Sequence, residues 1–150
     1  MAEYSVRLAD LRDVPQISAI ENACFSLPHS EEQLLCEIND DLHELLVAAG
    51  GEQVLGYVGL THVIDEGYIS NVAVAEHARR RGIADALLNA VNKRAEELAL
   101  AFISLEVRES NLPAISLYSK HGYEPVAVQK DYYTMPKENA IIMTKQLSNF

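Results

Sequence analysis

The sequence predicts a mixed α/β (α+β) fold, with helices on both faces of a central, mostly antiparallel sheet of about seven strands. Three observations carry that prediction. The periodic segments fall in the order β-α-α-β-β-β-α-β-α-β-β. Neighbouring strands joined by short loops imply antiparallel pairing, and the strand–helix–strand crossover from Gly67 to Arg108 implies one parallel pair. The composition, 49% hydrophobic and 23% charged, is that of a globular chain. A length of 150 residues suffices for one domain with a substantial core, and no repeat, low-complexity tract or linker divides it, so residues 1–150 read as a single domain.

The elements follow from local patterns. The stretch from Tyr4 to Ala9 alternates apolar and polar residues, a strand signal. DVPQISAIENACF reads as a helix, with Asp13 as candidate N-cap and Pro15 in the first turn. SEEQLLCEIND repeats the signal, and Ser30 with Gln33 three residues on forms a capping box. HELLVAAG and VLGYVGLTHVI read as a hairpin closed near Gly50 and Gly51, and GYISNVAVA as a further strand. Residues 80 to 98 carry the clearest helical pattern, with Ile83, Ala84, Leu87, Leu88, Val91, Ala95 and Leu98 on one face. LAFISLEVR is a strand. NLPAISLYSKHG is a helix capped by Asn111, with Pro113 in its first turn and Gly122 as terminator. YEPVAVQKDYY and NAIIMTKQL are the final strands.

Composition narrows the function classes. Acidic residues number 22 against 12 Lys plus Arg, a net charge of −10. That field opposes binding to nucleic acid or an anionic membrane and favours a cationic partner such as an amine, besides serving solubility. No apolar run approaches the roughly 20 residues that span a bilayer, and the first residues lack a signal-peptide pattern, so a cytoplasmic location is expected. Cys24 and Cys36 form neither a metal spacing nor a CxxC pair and read as buried free thiols. No metal is expected.

The densest positive charge lies in HARRRGIADALLNAV, from His77 to Val91, at the start of the longest helix. Arginines there oppose the helix dipole unless an anion is present, and a helix N-terminus offers unpaired N–H groups to phosphate. Gly82 leaves room for a ligand to approach the backbone. The competing reading is a solvated charge run. The spacing matches neither the lysine-containing phosphate loop nor GxGxxG.

Arg79-Arg80-Arg81-Gly82-Ile83-Ala84 fits the pattern Arg/Gln-x-x-Gly-x-Gly/Ala, after a predicted strand and opening a predicted helix. In this the chain resembles the GNAT superfamily of N-acetyltransferases, in which the motif holds the pyrophosphate of acetyl coenzyme A. SLEVRESNLPAISLYSKHGYEPV is similar to the family's closing strand–helix–strand, most like the ribosomal-protein-alanine N-acetyltransferase type, which acetylates protein N-termini. DYY followed by ENAIIMTKQL resembles that type's last two strands, and the resemblance runs from SVRLADLRDVPQI onward.

The resemblance implies a GNAT-like fold with a splayed parallel strand pair that binds acetyl coenzyme A. It implies direct transfer in a ternary complex, without a cysteine or serine nucleophile. The coenzyme would lie on the backbone of Val72, Ala73 and Val74, on Arg79, Arg80, Arg81, Gly82, Ile83 and Ala84, and on Asn111 and Tyr118. Glu106, near the end of a largely apolar strand, occupies the position of the family's glutamate base; its other reading is a rim carboxylate paired with Arg108 or another cation. Tyr118 occupies the position of the tyrosine that protonates the leaving thiolate; its other reading is a core aromatic beside Ala114 and Ile115.

On the acceptor side, FSLPHSEEQL resembles a family loop whose residue after proline is usually tryptophan, where this chain has His29. Tyr132 and Tyr133 resemble acceptor-site tyrosines. Asn139 stands where the pattern commonly has an aspartate. The acceptor implied is a protein N-terminal α-amine, such as that of a ribosomal protein; its pKa near 8 leaves more neutral nucleophile at pH 7 than a lysine near 10.4. A lysine or small amine is the alternative acceptor, and a non-catalytic acyl-coenzyme A sensor the alternative class. A monomer or weak dimer is expected, with no nucleic-acid or membrane partner.

Overall fold

The computed structural model describes residues 3–147. The elements run in the predicted order: β1 (Ser5–Leu8), α1 (Val14–Cys24), α2 (Glu31–Ile38), β2 (His43–Gly50), β3 (Gln53–Val63), β4 (Glu66–Val74), α3 (Ile83–Glu97), β5 (Phe102–Arg108), α4 (Leu112–Lys120), β6 (Glu124–Thr134) and β7 (Lys137–Gln146). They build a seven-stranded sheet in the order β1-β2-β3-β4-β5-β7-β6, antiparallel except for the β4–β5 pair.

Two apolar clusters lie on opposite faces of the sheet. On one face, Ile83, Leu87, Leu88, Val91 and Ala95 of α3 meet Leu46, Val58, Ile103 and Leu105 from the strands. Their spacing of four, one, three and four residues is one helical stripe. Fully burying an aliphatic side chain such as Leu87 contributes about 1.5–3 kcal/mol. On the other face, Val14, Ile17 and Ile20 of α1 and Leu34 of α2 pack on Leu45, Val47 and Tyr57.

The ends of the helices refine the sequence reading. Ser30 and Gln33 form the expected capping box on α2, and Asn111 Oδ1 accepts the Ala114 N–H at 3.2 Å to cap α4. Asp13 does not cap α1 with its side chain. A 3-10 turn, Leu11–Asp13, precedes the helix, with Asp10 as its cap. Asp13 turns back to accept the Asp10 N–H at 2.8 Å and two Arg7 N–H groups at 2.7 and 2.9 Å. The apolar pattern reached back to residue 80, yet α3 begins at Ile83. Arg80 and Gly82 hold left-handed φ of 66° and 77°, which no helix accommodates. The thiols are also more open than expected: Cys24 is half-buried and Cys36, on the outward side of α2, is exposed. No helix among the described residues is long and apolar enough to cross a membrane.

Two features of β4 position the site. It pairs with β5 only at Glu66–Phe102, Gly67–Ile103 and Tyr68–Ser104, so the strands part beyond Tyr68. Against β3, Leu60 faces Ile69 and Val58 faces Val72, leaving Ser70 and Asn71 to share Gly59 as a bulge. The extra residue shifts the alternation and brings Asn71 to the same face as Tyr68. Gly59 gives the bulge room: a Cβ would sit 2.5 Å from Ser70 Oγ, and that side chain would have to move.

Candidate active site

The gap between β4 and β5 opens into a cleft of about 520 Å³. Its walls come from α1 and the following loop (Cys24, Phe25, His29), from β4 (Tyr68 to Val72), from β5 (Leu105 to Arg108), from Asn111, Ala114 and Tyr118 around α4, and from Tyr132 and Tyr133 of β6. A recess of about 360 Å³ adjoins it and shares Cys24, Phe25, His29, Asn71, Arg108, Tyr132 and Tyr133.

Alternation along β5 places Ile103, Leu105 and Val107 in the α3-side core and turns Glu106 to the other face, as the sequence pattern requires. There the Tyr68 hydroxyl donates to Glu106 Oε2. Burial first, and then the Glu106 carboxylate, hold the Tyr68 phenol well above its ordinary pKa, so it remains a donor. Arg108 is not the partner of Glu106. Its guanidinium donates to the carbonyls of Met135 and Pro136 and to Glu138, and lies 4.2 Å over the Tyr133 ring. It thereby fastens the β6–β7 hairpin over the cleft. Across the mouth, Ser26 Oγ donates to the Met135 carbonyl at 2.6 Å and ties the α1–α2 loop to that hairpin.

Tyr118 belongs to the core and to the cleft at once. It is 9% exposed, packs edge-on to Tyr123 at 6.0 Å, and still lines the cleft wall. Burial, and then the neighbouring Tyr133, push its phenol up to about 12. Tyr133 rises to about 12 for the same leading reason and stacks edge-on with Tyr132 at 5.0 Å. The His29 ring lies 3.5 Å from Glu37, whose carboxylate raises the imidazole pKa, with Glu21 adding to the effect. Asn139 lines neither the cleft nor the recess: its Oδ1 accepts the Asp131 N–H at 2.9 Å and supports the β6 bulge.

The Arg79–Ala84 turn links β4 to α3. Arg79 reaches back to the Val74 carbonyl at 3.4 Å and Cys24 Sγ at 3.6 Å, while Arg80 and Arg81 are exposed. Among the described residues no side chain caps α3, which leaves its first N–H groups available to an anion. Gly82 has no neighbouring atom within 4 Å of where a Cβ would lie, leaving open space at the helix start. From Ile69 to Val74 the β5-facing edge of β4 has no strand partner among the described residues. An elongated thioester with a diphosphate at one end fits this combination of free strand edge and cationic, uncapped helix start.

Comparison with known proteins agrees with the geometry. Residues 14–123 match the Acetyltransferase (GNAT) family, and the chain belongs to it. It is 30% identical over 139 residues to the [ribosomal protein bS18]-alanine N-acetyltransferase of Escherichia coli K12, covering 91% of this chain and 93% of that one. It is 33% identical over 158 residues to an N-alpha-acetyltransferase of Sulfurisphaera tokodaii, covering 97% and 94%. The crystal structure of the Escherichia coli ribosomal-protein-S18-alanine N-acetyltransferase superposes with a TM-score of 0.90 at 27% identity, covering 98% of this chain and 96% of that one. The protein is thus an acetyltransferase with acetyl coenzyme A as its cosubstrate.

Two groups at the site escaped the sequence reading. Tyr68 was hidden in an ordinary strand pattern; only the register of the crossover brings it to Glu106. Glu21 had a visible signal, a carboxylate inside the apolar stripe of α1 beside Ile17 and Ile20.

Proposed function

We propose that this acetyltransferase, acting as one catalytic domain, transfers acetyl to the N-terminal α-amine of a protein, a ribosomal protein being the favoured acceptor. The observation that carries the reading is the Tyr68–Glu106 pair facing a cleft that continues into a second recess roofed by Tyr132 and Tyr133. A reactive centre with a passage leading away from it suits an amine that ends a chain. The likeness to relatives named for N-terminal acetylation supports the same acceptor.

In this reading acetyl coenzyme A lies with its diphosphate on Arg79 to Ala84, where backbone N–H groups and the helix dipole meet it, and with its arm along Val72, Ala73 and Val74. Asn111 contacts the arm while capping α4. The incoming amine sits beside Glu106, which takes its proton as the nitrogen attacks the thioester carbon. The C–N bond forms, backbone N–H groups of β4 meet the developing oxyanion, and the C–S bond breaks. Tyr118, kept protonated by burial, gives its proton to the thiolate and regains one from solvent. His29, Tyr132 and Tyr133 line the acceptor passage. The protein acts in the cytoplasm as a monomer or weak dimer, without nucleic acid or membrane.

The test is incubation of the protein with acetyl coenzyme A and a peptide library that includes Ala-initiated sequences, locating the acetyl group by mass spectrometry. Acetyl on α-amines is the expected result. Label confined to lysine side chains, or coenzyme binding without release of free coenzyme A, would overturn the reading.

A further inference from the structure

Glu21 is fully buried, and among the described residues it pairs with no Lys or Arg. A buried acid without a cation is costly unless hydrogen bonds satisfy it. Here Oε1 accepts the His29 backbone N–H at 2.7 Å, and Oε2 accepts from the Tyr57 hydroxyl and from Asn71 Nδ2 at 2.9 Å. Burial and the adjacent Glu21 keep the Tyr57 phenol protonated. The acid therefore dictates how the Asn71 amide lies. An amide has a donor end and an acceptor end, and the donor end is held by Glu21 and, at 3.3 Å, by the Tyr57 hydroxyl that Glu21 itself orients. Oδ1 is left pointing the other way, and it makes no hydrogen bond among the described residues.

The position of Asn71 gives that free acceptor a use. Asn71 lines both the reaction cleft and the adjoining recess, whereas Glu106, Tyr68 and Tyr118 line the cleft alone. A chain whose terminal amine sits at Glu106 passes Asn71 as it leaves. Arg108 stands at the same junction, but its donors already hold Met135, Pro136 and Glu138.

We propose that Asn71 Oδ1 accepts the peptide N–H of the acceptor's second residue, and that Glu21 is the positioning residue that keeps the amide turned that way. The proposal rests on the N-terminal reading, since a small amine has no such N–H.

The test compares an Ala-initiated peptide with the same peptide N-methylated at the second residue's amide, in the wild type, Asn71→Leu and Glu21→Gln. Wild type should lose about tenfold in kcat/KM on methylation, the size of one hydrogen bond. Asn71→Leu should lose a similar factor on the unmodified peptide and no longer distinguish the two. Glu21→Gln should show reduced discrimination, with acetyl coenzyme A affinity within about twofold of wild type. Its effect should vanish in the Asn71→Leu background; an acid that merely braces the α1–α2 loop through His29 would keep its effect there. Asn71→Ala serves if the leucine variant fails to fold. Discrimination that survives in either Asn71 variant, or is absent from the wild type, overturns the proposal while leaving N-terminal acetylation intact. A wild type that labels only lysines overturns both.

Discussion

The Tyr68 hydroxyl donates to the Glu106 carboxylate across the point where β4 and β5 part. Parallel strands in register would bury that edge in ladder hydrogen bonds. The divergence instead leaves a carboxylate and a phenol facing a cleft, which is what deprotonating an amine beside a thioester needs. Glu106→Gln should lower turnover by about 10²–10⁴ while acetyl coenzyme A still binds, because the amide keeps the shape and loses the proposed base. Tyr68→Phe should cost less, and the double variant should be no worse than Glu106→Gln, since the phenol acts through the carboxylate. Steady-state kinetics with calorimetric coenzyme binding would check this; full activity in Glu106→Gln would remove Glu106 from the mechanism.

Burial pushes the Tyr118 phenol up to about 12, so it is protonated, and able to donate, throughout the range in which the enzyme can be assayed. Tyr118→Phe should therefore lower kcat by about a hundredfold as a parallel drop between about pH 6 and 10, without moving either limb of the profile. An alkaline limb near pH 9 that disappears in the variant would mean that the phenol ionises there, contrary to its burial.

The topology was legible in the sequence because it rests on periodicity. Strict alternation in FISLEVR turned Glu106 away from the core, and the stripe from Ile83 to Ala95 fixed the buried face of α3. Helix starts were less legible. Asp13 has the chemistry of a cap, but Arg7, six residues earlier and on another element, competes for the same carboxylate and wins. The candidate site residues came from the resemblance to a family, and the contacts that depend on register stayed hidden. The Tyr68–Glu106 contact exists because the crossover sets Tyr68 against Ser104, and the Asn71 orientation exists because of a bulge. Neither leaves a mark on local sequence pattern.

The Arg7–Asp13 pair predicts how the amino-terminal elements respond to acid. Asp13 is buried, and its carboxyl is held below the ordinary 3.8 chiefly by the hydrogen bonds from Arg7. A group depressed in the folded state contributes stability above its unfolded value, and that contribution is lost as pH falls through the lower folded value. Asp13→Asn should therefore destabilise the protein at pH 7 by about 1–3 kcal/mol, and by progressively less below pH 3.8. Urea denaturation of both proteins across pH 7 to 3 would measure the difference; a gap that is constant with pH would assign the loss to shape rather than charge.

Three arginines precede α3, a helix that no side chain caps among the described residues, and Arg79 makes long contacts to Val74 and Cys24. Arg80 and Gly82 hold left-handed φ, and the space beside the Gly82 Cα is open among the described residues. Such a turn is poorly held until an anion occupies it, and then the N–H groups, the dipole and the guanidinium charge all favour the bound state. Amide hydrogens of residues 82 to 85 should exchange rapidly in the free protein and slow at least about tenfold with saturating coenzyme A. Gly82→Ala has room for its methyl group but must hold a φ of +77°, at a cost of about 1–2 kcal/mol, so it should weaken coenzyme binding about tenfold or more. Arg79→Ala should weaken binding with a reduced dependence on salt, because one charge contact to the phosphates is gone. Exchange at residues 82 to 85 that ignores coenzyme A would place the diphosphate elsewhere.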